Sequence, residues 1–121
     1  MDSGLRIDRV EQHQHFINQV AVNKTVWGLK SSDGWAMASS NEIEERRVMP
    51  FWSDRVSAKK VAAEKWDTSE PVSIILDEFI NLWLKSMHED GIFVGTNWDT
   101  HLMGKEIEPD TLRKEILDTL E

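Results

Sequence analysis

Apolar side chains recur along this chain with two periods, and the changes of period mark the predicted elements. Residues 8–23 repeat apolar positions at helical spacing, so they predict a first amphipathic helix with Asp8 as its N-cap. Residues 25–30 and 35–40 are β-type runs joined by the letters SSDG. The Asp-Gly pair favours the positive φ angles of a tight turn, so these two runs are predicted to form a hairpin.

The next segment is predicted to return to the sheet and then to become helical. Residues 46–52 predict a third strand that pairs onto the hairpin, and Pro50 indicates that its end lies at an edge or leaves the sheet. Ser53 is predicted to cap a second helix that ends near Lys65. The side chains predicted to lie inward on this helix, or near its core face, are Val56, Ala58, Val61, Ala62 and Trp66.

The second half of the chain repeats this alternation. Residues 71–76 predict a strand, after which Asp77 is predicted to cap a third helix that stops at Gly91. Residues 92–98 predict a strand, residues 105–107 a further short one, and Pro109 the start of a final helix. The apolar side chains predicted to face inward on these two helices are Phe79, Ile80, Trp83, Leu84, Met87, Leu112, Ile116, Leu117 and Leu120.

The element order αβββαβαβ(β)α predicts one α+β domain over residues 1–121, with a mainly antiparallel sheet and about four helices. Residues 1–7 are predicted to be a flexible N-terminal tail. At 121 residues, the chain is long enough to hold a core without metal or disulfide support. No apolar run reaches signal-peptide or membrane-spanning length, so neither secretion nor membrane attachment is expected.

Composition narrows the classes of function further. The chain has no cysteine, which removes disulfides, thiol nucleophiles and thiolate metal sites and agrees with a cytoplasmic location. The net charge is −8, and residues 61–121 carry 14 acidic and only 5 basic side chains. Phosphate-backbone binding needs a basic excess, so nucleic acid is not an expected partner.

Several short sequence motifs occur together in this chain: VWGL, DGWA, PFW, and then LDEFINLWL followed by Asp-Gly-Ile before a β-type run. In that order, over roughly Phe16 to Trp98, they resemble the bacterial family called Domain of Unknown Function 2750. The resemblance implies a small bacterial intracellular protein with one α+β scaffold. It implies no reaction and no catalytic or binding residues.

Reactive constellations are scarce. His13 and His15 would lie on different faces of a helix, so they cannot share a metal ion; His13 is predicted to be packed and His15 to be at the surface. The glycines never cluster into a phosphate loop, and no serine lies in a nucleophile motif. Adjacent carboxylates at helix starts are explained by capping. We therefore predict no catalytic residue, no metal site and no cofactor.

One patch stands out as a candidate binding surface. Arg46, Arg47, Arg55, Lys59 and Lys60 surround Phe51 and Trp52 in the sequence. If a helix begins at Ser53, its free amides add partial positive charge nearby. Trp52, Trp66 and Trp98 are predicted at element ends, where an indole either packs in the core or anchors an interface. The candidate binding residues are Trp52, Arg55, Lys59, Arg47 and Trp98.

Three functions follow from these observations. The first is a noncatalytic module that binds another protein, through the Trp52 and Trp98 region or through the acidic C-terminal half. The second is a domain that binds a small anionic ligand, which requires a concave pocket lined by Trp52 and a basic side chain. The third is a carboxylate-dependent enzyme, which requires a pocket with two carboxylates or with a histidine and a carboxylate.

Overall fold

The protein, described from a computed structural model, is an α+β domain with four helices and two mostly antiparallel sheets. The structure describes the backbone of residues 2–120 and the side chains from Arg9 to Leu120. The helices are α1 (Asp2–Asn23), α2 (Arg55–Lys65), α3 (residues 76–90) and α4 (Pro109–Leu120). The strands are β1 (Thr25–Ser31), β2 (Gly34–Trp35), β3 (Ala38–Ser39), β4 (Arg47–Phe51), β5 (Glu70–Ile75), β6 (Phe93–Thr96) and β7 (Lys105–Ile107). The predicted fold class is confirmed.

Helix α1 is longer than the sequence pattern predicts. It begins at Asp2, so Asp8 lies inside the helix, and its predicted role as N-cap is wrong. For the predicted flexible tail, residues 1–7, Met1 and all the side chains lie outside the described residues, so its flexibility stays a prediction. No helix within residues 2–120 is long and apolar enough to cross a membrane.

The strands divide into two sheets of orders β2-β1-β5 and β3-β4-β6-β7. The predicted hairpin forms between β1 and β2, with Gly34 at φ +116° after the turn. The second run of the hairpin is divided between the two sheets. Residues 34–35 pair with β1, whereas residues 38–39 pair with β4 in the other sheet. The predicted third strand, β4, therefore pairs with the hairpin's second run only through β3. Its longer pairing is with β6, which lies parallel to it.

Trp27 and Trp52 join the two sheets. Each backbone N–H donates to the other residue's carbonyl at 2.8 Å, forming an isolated antiparallel bridge. Pro50 lies beyond the two residues of β4 that pair with β3, so its missing N–H removes no ladder bond on that side. The sequence predicts that the strand end lies at an edge or leaves the sheet: Phe51 still pairs with Thr96 of β6, and the chain then crosses to the other sheet at Trp52.

The caps of α2 and α3 both differ from the prediction, by one residue in α2 and by two residues in α3. Asp54, not Ser53, caps α2: its carboxylate accepts from the Ser57 backbone N–H at 2.7 Å and from the Ser57 hydroxyl at 3.0 Å. Helix α3 begins at Leu76 without a side-chain cap, so Asp77 lies in the first turn, where its charge favours the helix dipole. Gly91 ends α3 with φ +69°, as predicted.

Helix α3 contains a π-helical turn that the sequence pattern does not predict. Its first residues, Leu76–Glu78, are α-helical, Phe79–Trp83 form a π-helical turn, and Leu84–Asp90 return to α-helix. Phe79, Ile80, Leu84 and Met87 are buried as predicted, whereas Trp83 is half-buried. Short π-helical segments occur often at functional sites.

The apolar side chains form two clusters. The larger cluster lies between α1, α3, α4 and the sheets and includes Phe16, Phe51 and Ile116. The smaller one lies beneath α2 and consists of Leu29, Ala36, Trp52, Ala58, Val61 and Ala62, with Trp66 packed against it. Two predicted inward positions face out instead, since Val56 is 75% and Leu120 37% exposed; Leu117 is half-buried and packs against the larger cluster, as predicted.

Candidate functional site

A cleft of about 770 Å³ lies between α1, the start of α2 and the loop that follows β6. Trp52 and Trp98 contribute to its apolar surface together with Val61, and the remaining lining is polar. The polar residues are Glu11, Gln12 and His15 from α1, Asp54, Ser57 and Lys60 from α2 and its cap, and Asn97, Asp99 and Thr100 from the loop. This volume is in the range of small-molecule and side-chain binding pockets.

Asn97 connects all three walls of this cleft. Its Oδ1 accepts from the Ser53 backbone N–H at 2.8 Å, and its Nδ2 donates to the Ser53 hydroxyl at 3.0 Å. From α1, Gln12 Nε2 donates to the Asn97 carbonyl at 2.7 Å and to the Met103 carbonyl at 3.1 Å. Asn97 holds a left-handed backbone, φ +49°, which asparagine tolerates better than most residues. The cleft walls are therefore fixed by hydrogen bonds and do not rest on apolar packing alone.

The two predicted tryptophans lie beneath the cleft and are not exposed anchors. Trp52 is 0% and Trp98 is 2% exposed, so of the two alternatives for these indoles, packing in the core is confirmed and a half-exposed interface anchor is wrong. Trp52 Nε1 donates to the Trp98 carbonyl at 2.9 Å, and Trp98 Nε1 donates to the Lys105 carbonyl at 3.0 Å. Both indoles thus satisfy their one donor inside the protein and form a rigid floor.

The cleft is acidic on balance. Glu11, Asp54 and Asp99 contribute three carboxylates against the single ammonium of Lys60. Two of the carboxylates already have local partners: Asp54 accepts from Ser57, and Asp99 Oδ1 accepts from the backbone N–H groups of His101 and Met103 at 2.9 and 3.1 Å. Since Asp54 also places a negative charge at the start of α2, the free-amide anion site predicted there is already occupied by the chain itself.

The basic patch is dispersed in the fold. Arg55, Lys59 and Arg47 do not line the cleft. Lys59 forms an exposed ion pair with Glu70 at 3.0 Å, and Arg47 approaches the Asp90 carbonyl at 3.5 Å. Of the five basic residues that are close in sequence, only Lys60 reaches the cleft. The role of Arg55, Lys59 and Arg47 in binding stays a prediction for a separate surface.

Arg46 belongs to a structural network. Its guanidinium lies 3.7 Å from the centre of the Phe93 ring and approaches Glu106 at 3.5 Å. The Glu106 side chain, 1% exposed, also accepts from the Ser40 hydroxyl at 2.5 Å and from the Asn41 backbone N–H at 2.9 Å. This buried carboxylate fixes the turn between β3 and β4.

A second polar cluster lies on the opposite side of α1. His13 is 6% exposed; its Nδ1 lies 2.8 Å from Thr96 Oγ1 and its Nε2 lies 2.6 Å from Glu115 Oε1. With the proton on Nε2, the neutral ring donates to Glu115 and accepts from the Thr96 hydroxyl. Burial lowers the pKa of His13; the hydrogen bond with Glu115 opposes this and the charge of Lys105 adds to it. The predictions of a packed His13 and an exposed His15 are confirmed.

The His13 cluster has the residue types of a nucleophile, a base and an orienting carboxylate, but its geometry does not suit catalysis. Thr96 is 0% exposed, so a substrate cannot reach its hydroxyl, and both ring nitrogens of His13 are already paired. Over the described residues, no three side chains of the His, Asp or Glu types come together in a way that could hold a metal ion. The cluster is best explained as a buried link between α1, β6 and α4.

Sequence reasoning found some cleft residues and missed others. Trp52 and Trp98 were expected at the site, whereas Gln12, Asn97 and Asp54 were not. The Asn97-Trp98-Asp99 sequence after a β-type run is a turn signal, since asparagine and aspartate favour turns, but nothing in it indicates contact with α1.

Comparison with known proteins gives one match. No curated protein and no solved structure matches the chain significantly. The sequence pattern of one family covers residues 13–116, which include the His13 cluster, all the strands and the cleft residues other than Glu11 and Gln12. The chain therefore belongs to the family described as "Protein of unknown function (DUF2750)".

Proposed function

We propose that this domain is a noncatalytic protein-interaction module and that it holds a basic segment of its partner in the cleft. The charge of the cleft supports this most directly, because three carboxylates face one ammonium on a concave surface. An excess of one sign of charge attracts and orients a partner of the other sign. A bacterial origin and a cytoplasmic location, suggested by the sequence, belong to the same proposal.

The hydrogen-bond pattern favours binding over catalysis. The cleft does contain a histidine and three carboxylates, which are residue types that acid–base catalysis uses. However, both Asp54 oxygens accept from Ser57, and one Asp99 oxygen closes a turn. Carboxylates held in this way are suited to stabilising the walls of the cleft and its negative field.

A small anionic ligand is the second candidate, and one observation favours it. The cleft is concave and places Lys60 near Trp52, which is the arrangement that such a site requires. Against it stands the excess of carboxylates and the capping of α2 by Asp54. The two candidates predict opposite effects of the same charge changes.

Calorimetric titration with a lysine-rich peptide and with inorganic phosphate separates them. For a basic partner, Glu11→Lys should weaken peptide binding about fivefold and Lys60→Glu should strengthen it by a similar factor. Glu64→Lys, an exposed change on α2 outside the cleft, is the matched control. Phosphate binding that is lost in Lys60→Glu would support the anionic ligand instead, and binding of neither probe would contradict both candidates.

The separate basic surface needs its own variant. Reversal of Arg55 and Lys59 to glutamate should leave peptide binding in the cleft unchanged, because neither side chain lines it. If this double variant changes binding as much as Glu11→Lys does, the cleft is not the site.

A further inference from the structure

A second, smaller groove lies along α3 and shares no lining residue with the cleft. It measures about 310 Å³ and is lined mainly by apolar side chains, among them Trp35, Met49, Trp83, Met87 and Ile92. Trp35 and Trp83 form its aromatic wall, with ring centres 4.7 Å apart in an edge-to-face arrangement. Neither indole is fully buried, so the groove offers apolar surface to a partner.

Leu82 stands at the rim of this groove and is 62% exposed. It belongs to the π-helical turn Phe79–Trp83, in which Phe79 and Ile80 are buried and Trp83 is half-buried. A large apolar side chain beside an apolar groove costs free energy in water that contact with a partner recovers. One surface thus carries both a projecting side chain and a recess that suits an aliphatic group.

Charges on the same face indicate what covers it. Glu78 lies four residues before Leu82 and Lys85 lies three residues after it, and both are exposed. Neither forms an ion pair with another residue in the described part of the chain. When two copies of a helix cross antiparallel at Leu82, Glu78 of each copy faces the turn that carries Lys85 of the other. Glu78 and Lys85 are therefore complementary in charge across such a crossing.

We propose that α3 is a homodimer interface in which Leu82 of each protomer enters the groove of its partner. The contact is isologous, with a twofold axis near Leu82 and two symmetry-related Glu78–Lys85 pairs, which is the commonest symmetry of soluble oligomers. The cleft at Asn97 lies outside this surface, so the proposal stands independently of the proposed function. Because each chain carries a net charge of −8, repulsion opposes association at low salt.

Sedimentation equilibrium of the full chain at physiological salt, from micromolar to millimolar concentration, tests the interface. The wild type should dimerise, and Leu82→Asp should raise the dimer dissociation constant at least about tenfold. Val56→Asp on α2 is the matched control, since Val56 is 75% exposed and lies away from α3. A wild type that stays monomeric at millimolar concentration overturns the proposal, as does equal weakening by the control.

Charge reversal tests the geometry separately. Glu78→Lys and Lys85→Glu alone should each weaken the dimer, whereas the double variant should restore it, because each pair is then re-formed with opposite polarity. Circular dichroism establishes that these exposed variants fold. If the double variant associates no better than the single ones, the two helices do not cross at Leu82 and the proposed interface is wrong.

Discussion

The indole Nε1 of Trp52 donates a hydrogen bond to the backbone carbonyl of Trp98 at 2.9 Å, and both side chains are buried. This bond connects the end of β4 to the loop after β6, two segments that lie 46 residues apart in the sequence. Trp52 also bridges to Trp27 in the other sheet. The floor of the cleft is thereby joined to both sheets.

Replacement of Trp52 by phenylalanine should lower the free energy of unfolding by about 1 to 3 kcal/mol, because the buried Trp98 carbonyl loses its donor and the smaller ring leaves a void. Urea unfolding followed by circular dichroism measures the change. Trp66→Phe is the control, since Trp66 is half-buried and its indole has no hydrogen-bond partner among the described residues. Equal losses in the two variants would contradict the role given to the hydrogen bond.

Alanine at Gly95 or Gly104 should destabilise the fold through Trp98. A Cβ at Gly95 would lie 2.5 Å from Trp98 Cε2, and one at Gly104 would overlap Trp98 Cδ1. These contacts are too short for carbon atoms, and the buried indole cannot move away without losing its hydrogen bond. We expect a loss of about 1 to 3 kcal/mol in the free energy of unfolding.

Gly28→Ala provides the comparison for this prediction. Its Cβ would lie 3.0 Å from the half-buried Trp35 ring, a less severe overlap. The loss in thermal or urea unfolding should therefore be smaller than for Gly104→Ala. The reverse order would show that Trp98 is not held as tightly as its contacts indicate.

Asn97→Ala should destabilise the protein more than Asn97→Gly. Both variants remove the side-chain bonds to Ser53, at a cost of about 1 to 3 kcal/mol. Only alanine retains a Cβ in the left-handed conformation, which adds about 1 kcal/mol. Urea unfolding measures the difference, and amide exchange at Ser53 should rise in both variants. Equal stability of the two would contradict the strain assigned to φ +49°.

The protein should lose stability as pH falls below about 6.5, through His13. Burial holds the pKa of this histidine below its ordinary value of 6.5 in the folded state, whereas the unfolded chain takes up the proton near that value. The unfolded state therefore binds more protons between the lowered pKa and 6.5, and acid favours unfolding in that window. Urea unfolding measured from about pH 8 down to pH 5 should show this decline.

Two histidine variants isolate the effect. His13→Gln should be less stable at neutral pH, because the links to Thr96 and Glu115 are altered, but its stability should decline less on acidification. His15→Gln, at an exposed position of the same helix, should retain the wild-type pH dependence. A decline of the same size in His13→Gln would assign it to other groups.

Local sequence predicted most elements but placed their ends less well. The Gly34 turn, the stop of α3 at Gly91 and the start of α4 at Pro109 follow from single residues with restricted or unusually free backbones. The cap of α2 was displaced by one residue because Ser53 and Asp54 are both good caps. The Asn97 side chain forms hydrogen bonds with the backbone N–H and the hydroxyl of Ser53, and the Asp54 carboxylate accepts from Ser57 instead.

The site was harder to predict because its residues come from distant parts of the chain. Gln12 donates a hydrogen bond to Asn97, which lies 85 positions away in the sequence, and no sequence pattern at either residue predicts this contact. Conversely, basic residues that are close in sequence lie on different faces of α2, because successive residues of a helix point in different directions. Lys59 pairs with Glu70, whereas Lys60 lines the cleft. Proximity in sequence is a poor guide to a surface when residues lie on different sides of one helix.

By itself the sequence determined the α+β class, the four helices, the first hairpin turn and membership of the family. These depend on periodicity and on turn residues, which act over a few positions. The tertiary structure alone decided that the second hairpin run divides between two sheets, that Trp52 and Trp98 lie buried beneath a cleft, and that the cleft is acidic. Those outcomes depend on which distant segments pack together, and packing is a property of the whole chain that no local pattern contains.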